Sequence, residues 1–342
     1  MNLVDLDDKL RSEMDIELLK RTPSAYLGSC RFKLPEYDAN PEMYDKIFAL
    51  LEELEIAAFF YIGGNDLDGT DHTPGFGSAA KYIASVSKEL IRDGLVYDQK
   101  QITIIEIMGR NAGWLTAAAA LAKCEDCEDV DLLYLPELPF DIDKFLDKVE
   151  RLFLTKKALV VAVSEGIKTE DGKYVFEHGV HTEYVDSFGH KQLSGTATYL
   201  ANLCGQRFGC KARAVELATL QRCAGHLTSR VDITEAYQVG GTAVSAAFAG
   251  ETGKMVILKR VSSDPYICTT DLYDVDKIAN VEKKVPLEWI TEDGTYVSQD
   301  TLLLTLTEFN HLITTKMEVF TMNTSYYFIP VPGSKAYIEN DR

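Results

Sequence analysis

Several stretches of this 342-residue chain combine charged side chains with glycine in patterns that suit phosphate and sugar chemistry. Gly63 and Gly64 follow an apolar run, where two glycines let a phosphate approach the backbone closely. They would equally serve a plain strand-to-helix turn. Asn65, Asp66, Asp68 and Asp71 place three carboxylates within six positions, with Gly69 and Thr70 between them. Such a set suits Mg²⁺, which takes few protein ligands and fills its shell with water and phosphate oxygens; a solvated acidic turn is the alternative. In Met108-Gly-Arg-Asn-Ala-Gly-Trp114, Gly109 and Arg110 stand between a predicted strand and a predicted helix. A guanidinium beside a helix N-terminus favours an anion, unless Arg110 pairs with Glu106. Glu165 follows another apolar run and can accept hydrogen bonds from a sugar hydroxyl, or stand as an exposed loop carboxylate. Arg213 and Arg222 are nine residues apart; arginines fork onto phosphate oxygens or form surface ion pairs.

Other reactive side chains form weaker patterns. The seven cysteines are odd in number and scattered, so no disulfide framework is expected. Cys124-Glu-Asp-Cys127 is a lone CxxC among acidic residues, without the second pair that a zinc site would add. His178 and His181 lie in a glycine-containing stretch and are expected at the surface.

The elements that must position these groups alternate. A polar helix carries Leu10, Met14, Leu18 and Leu19. A second helix opens at Asn40, which can cap it, with Pro41 in its first turn; Met43, Ile47, Leu50, Leu51 and Leu54 mark one face. Ile56 to Ile62 is short, aromatic-rich and apolar, and is predicted as a buried parallel strand. Helices are predicted over 77–92, 112–123 and 140–153, and strands over 102–108, 130–135 and 158–163. This alternation implies a parallel sheet covered by helices, whose ligands sit beyond the carboxyl ends of the strands. From Thr301 the chain is rich in Thr, Leu and aromatics, which suggests strands over 301–307 and 326–329.

With 53 acidic against 35 basic side chains the net charge is −18. This weighs against broad neutralisation of nucleic-acid phosphates and against an anionic membrane face. The acidic N-terminus has no signal-peptide pattern, and no apolar stretch suffices for a membrane span, so a cytoplasmic location is expected. No nucleic-acid or membrane partner is expected.

The ordered motifs resemble the phosphofructokinase family, most closely its pyrophosphate-using branch. They are Leu27-Gly-Ser-Cys-Arg31, Gly63-Gly-Asn-Asp66, Asp68-Gly-Thr-Asp-His-Thr-Pro-Gly-Phe-Gly77, Met108-Gly-Arg-Asn-Ala-Gly-Trp114, Pro136-Glu137, Ser164-Glu-Gly166, Arg213 with Leu220-Gln-Arg222, Asp232, Gly240-Gly-Thr-Ala-Val244 and Asn280-Val-Glu-Lys-Lys-Val-Pro-Leu287. The resemblance implies an α/β fold of two Rossmann-like three-layer domains with mainly parallel sheets, the first incomplete. It implies a phosphoryl-donor domain of residues 1–77 plus 222–296 and a sugar-phosphate domain of 78–221, with 297–342 a tail outside the family pattern. The activity implied is phosphoryl transfer from pyrophosphate to fructose 6-phosphate, giving fructose 1,6-bisphosphate, with Mg²⁺ and in a homo-oligomer. By matching position, Met108, Gly109, Arg110, Glu165, Arg213 and Arg222 bind the sugar phosphate, Arg213 often reaching in from a neighbouring subunit. Gly63, Gly64, Asp66 and Arg31 belong to the donor side, with Asp66 a metal ligand. An aspartate at position 66 marks the pyrophosphate form, because its charge repels the α-phosphate of ATP.

The sequence departs from the family in three places. No match to the family's opening glycine-rich loop precedes Leu27. Gly63-Gly-Asn-Asp66 runs directly into Leu67-Asp-Gly-Thr-Asp71, which omits the strand leading into Thr-Ile-Asp and with it the family's catalytic base. The segment after about Thr301 is not recognisable. These gaps keep a second function open: a non-catalytic member that binds sugar phosphate or pairs with an active subunit.

Overall fold

The computed structural model describes residues 10–20, 22, 34–62, 69–124, 126–179, 193–263, 265–278 and 283–298. Helix α1 (Glu13–Leu19) is closed by a capping box between Ser12 and Asp15. Helix α2 (Pro41–Glu53) starts as the sequence predicts, with Asn40 Oδ1 accepting from the Met43 N–H at 3.2 Å. The long helix α3 (Phe76–Leu95) then leads into strand β1 (Gln101–Ile107).

The predicted helix over 112–123 divides into a short α4 (Trp114–Ala117) and a 3₁₀ segment (Ala118–Ala122), whose small side chains pack beneath α3. Strand β2 (Leu132–Tyr134), helix α5 (Ile142–Leu152), strand β3 (Ala158–Ser164), helix α6 (Thr196–Phe208) and strand β4 (Lys211–Glu216) follow. The four strands form one parallel sheet in the order β2-β3-β1-β4. The expected α/β class, a mainly parallel sheet between helices, is what the structure shows.

The sheet is central because its side chains alternate between two buried faces. Ile105, Ile107, Leu133, Val160 and Ala162 face α3 and the alanine-rich segment. Ile102, Ile104, Leu132, Val161 and Val163 face α5 and α6. Each of these ten side chains is at most 4% exposed, which is why the strands read as continuous apolar runs rather than as alternating ones.

After β4 come the short helix α7 (Leu220–Cys223), helix α8 (Arg230–Phe248), the antiparallel hairpin of β5 (Lys254–Ser263) and β6 (Tyr266–Asp274), and a final turn α9 (Val275–Ile278). Residues 283–298 return to the parallel sheet. Leu133 N–H donates to the Thr295 carbonyl at 2.8 Å, and Trp114 and Trp289 meet edge to face. The sequence assigns 283–296 to the same unit as the hairpin, yet these contacts are all made with the sheet unit.

The run Ile56–Ile62 departs from its prediction as a buried strand. It forms no strand, and Phe59, Tyr61 and Ile62 are 73%, 83% and 84% exposed. A strand is held by the hydrogen bonds and side chains of its neighbours, and no described strand pairs with this one. The tail strands suggested over 301–307 and 326–329 lie outside the described residues, as do Arg31, Gly63, Gly64, Asp66, Asp68 and His181.

A charged network latches residues 70–78 to α8 and the hairpin. His72 lies between two carboxylates, with Nδ1 2.8 Å from Asp71 Oδ2 and Nε2 2.7 Å from Glu235 Oε2. Arg260 donates through Nε and Nη2 to Asp71, and Tyr266 donates to Glu235 at 2.5 Å. The Ser78 N–H and hydroxyl both donate to Asp232 Oδ2 at 2.5 Å. Burial alone would lower the His72 pKa, but its hydrogen bonds to Asp71 and Glu235 and their negative charges outweigh it and carry the value to about 9. Burial would raise Asp71, but hydrogen bonds from His72 and Arg260, with their charges, hold it at about 2.

Removing the imidazole takes a charged partner from the buried Glu235 and the half-buried Asp71, so His72→Phe is expected to cost about 3–5 kcal/mol in denaturant unfolding. The sign of the pH dependence follows from a raised folded-state pKa. The histidine contribution is complete below about 6.5 and is lost as pH rises through about 9. Wild-type and His72→Phe stabilities should therefore converge at alkaline pH, and a constant difference from pH 6 to pH 10 would contradict the assignment.

Candidate active site

Strands β1 and β3 run parallel and in register, with Ile107 opposite Ser164. They therefore deliver Met108-Gly109-Arg110 and Glu165-Gly166 to the same edge of the sheet. The two turns are tied together closely. Glu165 N–H donates to the Ile107 carbonyl at 2.9 Å, and Gly109 N–H to Glu165 Oε1 at 3.3 Å. Ser164 Oγ donates to the Gly109 carbonyl at 2.5 Å and accepts from Gly166 N–H at 3.0 Å.

Two glycines are required here. Gly109 has φ of 149°, and a Cβ on it would lie 2.6 Å from the Ala112 carbonyl oxygen. A Cβ on Gly166 would lie 1.9 Å from the Arg110 carbonyl oxygen, a contact no side chain survives.

The carboxylate at the centre of this edge is Glu165. Burial raises its pKa, while the Gly109 N–H and the positive charges of Arg110 and Arg222 work in the opposite direction. Arg222 arrives from the far side of β1. Leu217, just beyond β4, donates its N–H to the Glu106 carbonyl at 3.1 Å, and the chain turns through Ala218 into α7, which carries Arg222. Ala218 has φ of 40°, a left-handed conformation that costs a non-glycine residue energy and here redirects the chain at the strand end. The structure thus brings Met108, Gly109, Arg110, Glu165 and Arg222 to one edge, where the charges of two arginines act on one carboxylate, a combination able to hold a phosphate and a hydroxyl-bearing carbon skeleton together.

Arg213 does not join this group within its own chain. It pairs with Thr103 in the strand register, near the opposite end of the sheet. Four residues of strand, about 13 Å, separate that level from Ile107. Its Nη1 donates to Asp93 at 2.9 Å and its guanidinium lies over Tyr97. A cavity of about 550 Å³ bordered by Tyr97, Lys156 and Lys157 lies at this amino end, away from Glu165.

Glu106, named above as an alternative partner for Arg110, is buried on the α6 face and accepts from Ala197 N–H at 2.8 Å. Its pKa is pushed up to about 7, first by burial and further by the nearby Glu216 and Glu165.

Glu137 positions the edge, a role its sequence motif does not reveal. Its Oε1 accepts from the Gly113 N–H at 2.8 Å and the Val285 N–H at 2.9 Å, so it clamps the start of α4 to residues 283–298. The signal was topological, since Pro136-Glu137 follows β2 as Met108 follows β1 and Glu165 follows β3.

Among the described residues no group of three or more His, Cys, Asp or Glu side chains could hold a metal ion. Asp71, counted above among the carboxylates suited to Mg²⁺, is committed to Arg260 and His72. The described residues therefore do not provide a metal site, and the expected ligand Asp66 lies outside them.

Comparison with known proteins decides the family. The phosphofructokinase family model matches residues 64–246. The chain belongs to the phosphofructokinase family. Its match includes a pyrophosphate–fructose 6-phosphate 1-phosphotransferase of Halomonas elongata, 34% identical over 86% of this chain and 76% of that protein. An enzyme of the same name from Methylococcus capsulatus is 35% identical over 84% of this chain and 76% of that one. The crystal structure of a pyrophosphate-dependent phosphofructokinase from Nitrosospira multiformis superposes with a TM-score of 0.75 at 31% identity, covering 88% of this chain and 77% of that one. The phosphofructokinase motifs after Ile107 and Ser164 are thus the ones that form the described edge.

Because burial raises the Glu165 pKa, its ionised form costs stability above the ordinary carboxylate value of 4.5. Glu165→Gln should therefore unfold at a higher temperature than wild type at pH 7, with the difference vanishing at pH 4. An unfolding temperature lowered at neutral pH would show that Glu165 is held as a stabilising anion instead.

Proposed function

We propose that this phosphofructokinase-family chain binds fructose 6-phosphate at the edge formed by β1, β3 and α7 and accepts the phosphoryl group from pyrophosphate. The observation that carries the reading is that Arg110, Arg222 and the half-buried Glu165 stand at one sheet edge, where both arginine charges act on the carboxylate, on turns held by Gly109 and Gly166. In this reading Arg222 forks onto the 6-phosphate, Glu165 accepts from sugar hydroxyls, and the Met108-Gly109-Arg110 turn closes on the sugar phosphate. Phosphoryl transfer is mainly positioning and neutralisation of charge, and the arginines of this edge supply both for the acceptor.

The donor side rests on Gly63, Gly64, Asp66 and Arg31. The pyrophosphate preference is supported by Asp66 and by the names of the relatives. We assign the reaction's divalent metal to Mg²⁺, with Asp66 as its protein ligand. No residue is assigned as base, since the Thr-Ile-Asp segment is absent.

The placement of Arg213 supports a homo-oligomer in which it serves a neighbouring subunit's sugar-phosphate site. The domain division follows the same reading. Residues 78–221 form the sugar-phosphate unit, and the contacts of 70–78 with α8 and the hairpin support a donor unit that includes both, while 283–298 lies on the sugar-phosphate unit. A second reading, a sugar-phosphate-binding member without turnover, is favoured by the absent base segment and by the unpaired run Ile56–Ile62.

Arg222→Ala should weaken fructose 6-phosphate binding by about 1.5–3 kcal/mol, the worth of a charged hydrogen bond. Calorimetry showing unchanged affinity would remove Arg222 from the site. In an assay with Mg²⁺ and fructose 6-phosphate, pyrophosphate should support turnover and ATP should not. Two negative groups ~4 Å apart at position 66 disfavour ATP by about 4 kcal/mol at an effective dielectric near 20. Loss of the base lowers the rate by a factor of roughly 10²–10⁴ against a complete relative. Sugar-phosphate binding with no turnover on either donor selects the second reading.

A further inference from the structure

The Cys124-Glu-Asp-Cys127 turn plays no part in the reading above, yet its geometry is that of a reactive pair. Cys124 and Cys127 face one another across an isolated antiparallel bridge, each N–H donating to the other's carbonyl at 3.2 Å. Residues bonded in this way have Cα atoms about 5.5 Å apart, within the span of a disulfide. Both thiols are free.

The two sulfurs stand in different surroundings. Cys127 is 8% exposed and packs in the core beneath α3, and burial pushes its thiol pKa up. Cys124 is half-buried. Lys88 of α3, only 5% exposed, points its ammonium at Cys124, with Nζ 3.0 Å from Sγ and 2.8 Å from Asp126 Oδ1. Cys124 Sγ is itself 3.0 Å from Asp126 Oδ1. The partly accessible sulfur thus accepts a charged hydrogen bond from a buried ammonium, a contact that the buried Cys127 lacks. The same ammonium opposes a bound cation, which argues against a metal at this CxxC.

We propose that Cys124 and Cys127 form a thiol–disulfide exchange site whose co-reactant is a low-molecular-weight disulfide, with Cys124 attacking and Cys127 resolving. Cys124 loses its proton to solvent and its thiolate attacks one sulfur of the external disulfide. That S–S bond breaks, one external thiolate leaves, and a mixed disulfide forms on Cys124. The departing thiolate takes the Cys127 proton. Cys127 then attacks Cys124 Sγ, and the second external thiolate leaves and takes a proton from solvent. Two cysteine thiols are oxidised by two electrons, and one external disulfide is reduced to two thiols. Closing the bridge leaves the Lys88 ammonium on Asp126.

The test uses the full chain with oxidised glutathione as the probe, followed by acid quenching, alkylation and tryptic mass analysis. Cleavage after Lys123 and Lys144 puts both cysteines on one peptide. In wild type that peptide should lose two hydrogens and resist alkylation. Cys127→Ser should stop with one glutathione on Cys124, and Cys124→Ser should leave Cys127 unmodified. Cys124 should react about tenfold faster than Cys210, Cys223 or Cys268, which are half-buried and bonded to backbone carbonyls rather than to a lysine ammonium. Glutathione on those three cysteines with none at Cys124 would overturn the proposal. So would reaction of Cys127 in Cys124→Ser at the wild-type rate, or a wild-type protein that keeps glutathione on Cys124 and never closes the bridge.

Discussion

A Cβ on Gly166 would stand 1.9 Å from the Arg110 carbonyl oxygen, and the rest of the candidate site depends on that close approach. The contact exists because β1 and β3 are parallel, adjacent and in register to their last residues. Ser164 bridges the two turns through its hydroxyl, and Glu165 is bonded to the Gly109 backbone. The sheet in turn holds its register because both its faces are buried, so a slip of one residue would turn each apolar row to the wrong side. Burial of the sheet therefore fixes the spacing between an arginine and a glutamate that lie 55 residues apart in sequence.

The same edge shows how charge is managed in an acidic protein. The net charge of −18 is spread over the chain, while Arg110 and Arg222 act locally on Glu165. Glu106 lies on the α6 face nearby, accepting from the backbone at the start of α6. Residues 70–78 form a second charged assembly. There His72, Arg260, Asp71, Glu235 and Tyr266 tie this segment to α8 and the hairpin. Residues 70–78 and the turns after β1 and β3 are thus anchored by separate networks.

Much of the sheet unit was legible in the sequence, because apolar runs such as Ile102–Ile107 and Ala158–Val163 announce strands buried on both faces. The placement of Arg110 and Glu165 at strand ends followed from the same alternation. The run Ile56–Ile62 has an equally strong strand pattern and still forms none, because the pattern reports burial potential while the strand needs partners. Asp71 read locally as part of an acidic cluster, and its partner Arg260 is 189 residues away. No spacing rule reaches across that distance. The level of Arg213 along the sheet likewise depended on the β1–β4 register, which single-strand patterns do not encode. Glu137 was visible as a motif but not as a clamp, since its second partner, Val285, comes from a distant segment.

The central claim is that the edge of β1, β3 and α7 is a sugar-phosphate site. A crystal structure of the chain grown with fructose 6-phosphate tests it most directly. The account predicts the phosphate within hydrogen-bond distance of the Arg222 guanidinium and a sugar hydroxyl on Glu165, with the turns at Gly109 and Gly166 unmoved. Fructose 6-phosphate seated at another edge of the sheet, with Glu165 and Arg222 untouched, would contradict it.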